Sequence, residues 1–259
     1  MTDLLWHQYV LIGLIFVWSG FVRSGLGFGG AALTLPFLLL VVNDPLVFLP
    51  IVAVHLLIFS SLIAWKGHRA ARARASDDPN ASNIDWAYLK WSLKIMIVPK
   101  ILGVLGLLTL PPRVMSTIIF CIVIAYAVGY VLNKPIRSTG RKLDLVLLAL
   151  GGYASGASLI GAPLIAAVYA SHVAKHQLRD TLFVLWFILV VIKMVSFLIA
   201  GVDLQLVHHL WLLPCAWVGH LFGERFHRYL VASETPLFFR VLGTVLIAVS
   251  LVGIFWSPD

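Results

Sequence analysis

The chain has 259 residues, of which 61% are apolar and only 12% charged. A soluble domain carries roughly 45–50% apolar and about 25% charged residues, so too little polar surface is present to coat a water-soluble globule. Soluble enzymes, disordered proteins and disulfide scaffolds are excluded, and an all-α polytopic membrane protein is expected. The net charge of +8 lies mostly in short loops between apolar runs, such as Lys66 to Arg74 and Lys134 to Lys142. That is the pattern of a membrane protein's inner face and not of a nucleic-acid-binding stripe, so no nucleic-acid partner is expected. Cys121 and Cys215 stand alone inside apolar segments, which argues against a disulfide framework or a zinc site. The opening MTDLLWHQYV has no basic start and no small-residue cleavage site, and reads as mature protein.

Eight apolar runs follow in chain order. The first, 4–42, would make a straight helix of roughly 58 Å, about twice the hydrocarbon thickness. It is broken by Arg-Ser-Gly-Leu-Gly-Phe-Gly-Gly at 23–30. Spans are expected at 46–65, 86–110 and 114–133, then a cytoplasmic linker at 134–142. The run 143–172 is broken again, by Gly-Gly-Tyr-Ala-Ser-Gly-Ala-Ser-Leu-Ile-Gly-Ala-Pro at 151–163. Spans at 179–200, 207–223 and 238–256 complete the chain. Glycine and serine at that density disfavour continuous helix, so both broken runs read as helical hairpins that turn inside the bilayer. Their return helices are expected to begin near Gly29 and Ile160. Arg69 to Asn83 reads as a solvated loop.

Charge counting supports the hairpins. If each broken run returns to its starting side, one side holds Lys66, Arg69, Arg72, Arg74, Lys90, Lys134, Arg137, Arg141, Lys142, Lys175, Arg179, Arg225, Arg228 and Arg240. The other, with both termini, holds only Arg113. Fourteen against one is a strong positive-inside bias, whereas single crossings would divide the same residues nine against six. Both termini are then expected on the non-cytoplasmic side.

Ser24-Gly25 and Ser155-Gly156 are 131 residues apart, and each heads a hairpin followed by three spans. A hairpin plus three crossings changes side, so the second unit (143–259) would be inverted relative to the first (1–133), an arrangement that recurs in transporters. The competing reading is that these glycines only allow close helix packing. The paired clusters resemble the sulfite exporter TauE/SafE family of membrane permeases. The match runs through Gly25-Leu-Gly-Phe-Gly-Gly30 with Pro36, and through Ser155-Gly156 and Ile160-Gly161-Ala162-Pro163-Leu164 to Tyr169. Pro99 to Gly106 and Pro214 to Gly223 resemble the family's Pro/Gly-marked helices, one per half. Ser158 and Ala162 depart from the pattern, standing where glycines are frequent. The resemblance implies ten helical segments, a homodimer in a bacterial inner (plasma) membrane, and transport of small anions such as sulfite, sulfonates or organic acids.

Removing the fifteen loop cations leaves Arg23, Lys94, Lys100 and Lys193, with no acid clearly inside a span. A charge in hydrocarbon costs roughly 2.5–3.5 kcal/mol on insertion scales, so these cations need a partner, and an anionic substrate is one. Helix N-termini at the hairpin tips attract anions, glycines let the backbone approach, and serines donate. The candidate substrate-binding set is Arg23, Ser24, Gly25, Gly27, Gly29, Gly30, His55, Lys100, Ser155, Gly156, Ser158, Gly161, Trp186 and Lys193. Bland readings stand beside these: Lys94 snorkels, Arg23 caps carbonyls, and His55 is a satisfied core histidine. Trp186, 131 residues after His55, either walls a cavity or simply packs; Trp6, Trp211 and Trp256 read as interfacial anchors.

The reading that gathers these features is a secondary carrier working by alternating access, with no cofactor and no metal. The lipid bilayer and a small anion are its expected partners. No GxxxxGK[ST] is present for ATP-driven pumping. With a negative interior, exit of one negative charge gains about 2.3 kcal/mol per 100 mV and needs no coupling ion. The rivals are a passive anion channel and an intramembrane enzyme. The latter lacks GxSxG, HExxH or paired carboxylates.

Overall fold

A computed structural model describes residues 4–26, 30–74, 84–133, 138, 140–232 and 236–256. Among these residues the fold is all-helical. The first broken run becomes α1 (Trp6–Leu26) and α2 (Leu35–Val41). The next three helices are α3 (Pro45–Arg74), α4 (Trp86–Thr109) and α5 (Pro112–Val131). The second broken run becomes α6 (Arg141–Ser158) and α7 (Ala162–His172), followed by α8 (Lys175–Ile199), α9 (Leu206–Ala232) and α10 (Pro236–Trp256). The segments Trp6–Gly25, Trp86–Thr109, Pro112–Val131 and Lys175–Ile199 are long and apolar enough to cross a bilayer, and Pro45–Phe59 and Arg240–Phe255 are shorter apolar stretches. Large apolar side chains such as Trp6, Ile199, Leu210 and Phe255 cover the outside, as expected of a surface facing lipid tails.

Two boundaries differ from expectation. Helix α3 continues to Arg74, so the basic stretch from Arg69 is helical where a loop was expected; residues 75–83 lie outside the described residues. The first return helix begins at Leu35 and not near Gly29, because Gly30 to Thr34 form turns and Pro36 sits in the opening turn of α2. Trp211, expected as an interfacial anchor, is half-buried and edge-on to Tyr9. The second hairpin matches more closely: α6 stops at Ser158, Leu159 takes a left-handed conformation at φ 62°, and Pro163 lies in the first turn of α7.

The packing pairs cross between the two halves. The most extensive contacts are α1 on α9, α4 on α6 and α5 on α10. The first two are parallel pairs in backbone contact, made possible by glycine. A Cβ on Gly20 would lie 2.0 Å from the Ala216 carbonyl oxygen, and one on Gly219 would lie 1.8 Å from that of Val17. In the other pair, a Cβ on Gly103 would lie 2.3 Å from the Tyr153 oxygen, and one on Gly156 2.2 Å from that of Lys100. Gly156 was expected at a substrate; its neighbour in the structure is the α4 backbone. Each hairpin is also tied at its base. Gln8 of α1 donates to the Val41 carbonyl at the end of α2 (3.3 Å), and Asp144 of α6 pairs with His172 at the end of α7 (2.8 Å).

Candidate substrate site

Two basic nests stand behind the two hairpin breaks. In the first, Arg23 in the last turn of α1 is buried. Its Nη1 donates to the His55 carbonyl (3.3 Å), its Nη2 to Ser19 Oγ (3.4 Å), and its guanidinium carbon lies 5.0 Å from the centre of the Phe59 ring. The contact with Phe59 is a cation–π interaction. Its Nε has no partner among the described residues, and the backbone of Gly30 lies against it, a Cβ there being 3.2 Å from Nε. Among the described residues no carboxylate pairs with it. Trp18 of α1 donates to the Leu33 carbonyl (3.0 Å), and Thr34 donates to the Gly30 carbonyl, so the stretch after the break is held to α1. Gly27 and Gly29 lie outside the described residues.

Ser24 is hydrogen-bonded to Nδ1 of His220 on α9, and Nε2 of His220 faces Glu224 at 3.3 Å. His55, midway along the apolar part of α3, is fully buried and edge-on to Phe16. Its ring lies 5.3 Å from that of His209 on α9. His209 and His220 are eleven residues apart, three helical turns, and so share one face of α9. Neither was expected from the sequence; their eleven-residue spacing is a signal that could have marked them as one helix face. Gly25 is buried against Gly223 of α9, where a Cβ on Gly223 would lie 3.0 Å from its nitrogen.

In the second nest, Lys100 of α4 and Lys193 of α8 are both fully buried. Lys100 donates to Ser155 Oγ (3.1 Å) and to the Ser155 carbonyl (3.3 Å); Lys193 donates to the Gly156 carbonyl (2.6 Å) and lies 5.5 Å from the centre of the Phe197 ring. Ser155 and Gly156 are in the last turn of α6, at the negative end of the helix dipole, and the Ser155 carbonyl also accepts from the Leu159 N–H (3.2 Å). The two lysine heads therefore already have partial counter-charges within the fold, beside the anionic substrate expected from the sequence as one partner. Lys100 uses two of its three donors and Lys193 one, so N–H groups remain for a ligand. Ser158 donates back to the Ala154 carbonyl (2.9 Å). A Cβ on Gly161 would lie 2.2 Å from the Gly151 carbonyl oxygen, so this glycine lets the return stretch pass over α6.

The two nests correspond. Each hairpin offers the Ser of a Ser-Gly pair to a base on the helix crossing behind it: His220 of α9 for Ser24, and Lys100 of α4 for Ser155. Ala157 and Ile160 beside the second break belong to the same buried apolar cluster as Ala31 to Leu33 after the first. Trp186 is brought to neither nest; it is half-buried against the cluster built on Leu89, Met96, Leu148 and Tyr169. Lys94 is exposed on the surface of α4 and belongs to neither nest. An open hollow of about 380 Å³ is lined by Asp44, Leu108, Asp203 and Gln205 among others, and none of the buried cations reaches it. Its carboxylates accept from the backbone of Leu46 and Gln205, so it is a poor site for an anion.

At the base of the second hairpin the buried Asp144 accepts from Ser138 and His172, while His172 stacks on Tyr88 of α4 at 5.4 Å. Asp144→Ala is expected to lower stability by about 1.5–3 kcal/mol, the usual worth of hydrogen bonds to a charged group, while leaving anion binding measurable. Thermal melting with and without a bound anion checks both parts.

A family model described as "Sulfite exporter TauE/SafE" matches residues 11–252. No curated protein and no solved structure matches the chain. A match over nearly the whole length, on an all-helical fold with apolar spans and paired basic nests at two helix breaks, means that the chain belongs to the sulfite exporter TauE/SafE family of multi-pass membrane transporters.

Proposed function

We propose that this protein is a secondary carrier for small organosulfonate, sulfite-type or carboxylate anions, working by alternating access between two inverted repeats. The observation that carries the reading is the second nest: two fully buried lysines converging on one helix break with no carboxylate among the described residues bonded to either. Such a break offers ammonium donors from α4 and α8 and the positive N-terminal end of α7 to one anion. Arg23 is the matching cation at the first break. The reciprocal packing of α1 on α9 and α4 on α6 supports the repeat, since each hairpin then rests on a helix of the other half. A hairpin rocking with its partner helix moves against the opposite half, which is the motion alternating access requires. The homodimer and the outward-facing termini belong to this proposal too.

The test is flux of labelled sulfoacetate, sulfite or acetate into liposomes holding the purified protein under an imposed membrane potential. Saturable, potential-dependent flux of at least one of these anions is expected, and Lys100→Met is expected to reduce it at least tenfold. No flux of any of them sinks the carrier. Single-channel currents, far faster than a conformational cycle, would replace it with a channel.

A further inference from the structure

The first nest holds buried histidines that anion binding by itself does not require. His55 is fully buried, and among the described residues neither of its ring nitrogens has a hydrogen-bond partner. His209, 7% exposed, bonds through Nε2 to the Leu204 carbonyl (3.2 Å). A carbonyl only accepts, so this bond puts the hydrogen on Nε2 and leaves Nδ1 with its lone pair. That Nδ1 is also buried and without a partner. The two rings face each other at 5.3 Å and 54°. A histidine kept only for packing would satisfy at least one nitrogen, since an orphaned buried polar atom costs stability. Here three ring nitrogens in one contact are left without partners.

We propose that His55 and His209 form a shared proton-binding site that fills when an anion occupies the first nest, so that anion and proton bind together. This rests on the carrier reading above. The surrounding charges give the coupling its sign. The buried ionisable groups on elements against α3 are Arg23 from α1, His209 and His220 from α9, Lys193 from α8, Lys100 from α4 and Tyr126 from α5; α2 brings none. All but the tyrosine are cationic or become so on protonation. The one buried carboxylate among the described residues, Asp144, lies on α6 and is paired with His172.

With the nest empty, Arg23 therefore repels a proton from His55. An anion beside Arg23 cancels that field and favours the imidazolium, and by linkage the proton then favours the anion equally. The proton comes from water and adds to an imidazole lone pair; no bond of the anion changes. His209 stands in the first turns of α9, and His220 lies across Phe59, with rings 5.3 Å apart, and faces the half-exposed Glu224.

Calorimetry of sulfoacetate and acetate binding to the whole purified protein, in two buffers of unlike ionisation heat, counts the protons. Between about pH 6 and 8 these anions stay ionised while an imidazole changes charge. About one proton taken up per anion is expected, with affinity falling up to tenfold per pH unit on the alkaline side. His55→Gln is expected to hold affinity at the alkaline wild-type level across the range, with uptake near zero. If that variant does not fold, His209→Gln supplies the second comparison, and the wild-type proton count stands alone. Binding without proton uptake, or unchanged uptake in the folded variants, overturns the proton site and leaves the carrier intact. No binding of either anion overturns both.

Discussion

Gly219→Ala is expected to destabilise the folded protein severely, although it adds a single methyl group. The new Cβ would lie 1.8 Å from the Val17 carbonyl oxygen and 2.8 Å from the Phe21 nitrogen, both backbone atoms that no rotamer change can move. Overpacking costs about 1–3 kcal/mol where side chains can yield. Here α1 and α9 must separate along their whole crossing, and the loss is expected at about 3 kcal/mol or more, a large part of a typical 5–15 kcal/mol. Separation also pulls Ser24 from His220, so the first nest goes with the crossing. The check is the size-exclusion profile and melting temperature of the detergent-solubilised variant beside Gly140→Ala. A Cβ at Gly140 meets nothing, and that variant should behave as wild type. A Gly219→Ala protein melting within about 2 °C of wild type would mean that the helices do not cross as described.

Lys193→Met should separate stability from function. The side chain is fully buried and holds one hydrogen bond, to the Gly156 carbonyl. Methionine has a similar length and no charge to desolvate, and exchanging buried charges for apolar groups is often neutral or stabilising. Against that, the Gly156 carbonyl loses a donor, at about 1–3 kcal/mol. The melting temperature is therefore expected to stay near the wild-type value or rise, while anion-dependent stabilisation drops. At 100 times its dissociation constant, a ligand that binds only the folded state adds about 2.7 kcal/mol, and this increment should vanish in the variant. A folded Lys193→Met protein that keeps the full anion response would make Lys193 a cap for α6 and nothing more.

Much of the architecture was legible before any coordinates. Hydropathy and punctuation placed α4, α5, α8 and α10 to within a few residues, because Pro112 and the loop charges mark where lipid-compatible sequence stops. The hairpins followed from glycine density and charge counting. The extension of α3 to Arg74 did not, because apolarity ends near residue 65 whereas Ala, Arg and Lys remain good helix formers beyond it. Lys100 and Lys193 were singled out by cost alone, yet their bonds to α6 join residues 55 and 37 apart in sequence. His220 was hidden for a related reason: its tie to Ser24 spans 196 residues, and only the fold brings α9 behind α1. Of the two readings of Trp186, packing is the one its half-buried place against Leu89, Met96 and Tyr169 fits.

The cross-half pairing of α1 with α9 also constrains biogenesis. When α1 leaves the ribosome, the helix against which Gly20 must rest lies about 200 residues downstream. At roughly 5–20 residues per second, that partner arrives some 10–40 s later. During the interval Arg23 sits in a bilayer without the Phe59 and His55 contacts that later enclose it, until α3 follows, and Ser24 waits longer still for His220. The first hairpin therefore has to be inserted as a provisional element, shielded by lipid or by the insertion machinery. Its final geometry is fixed only when the last third of the chain has been made.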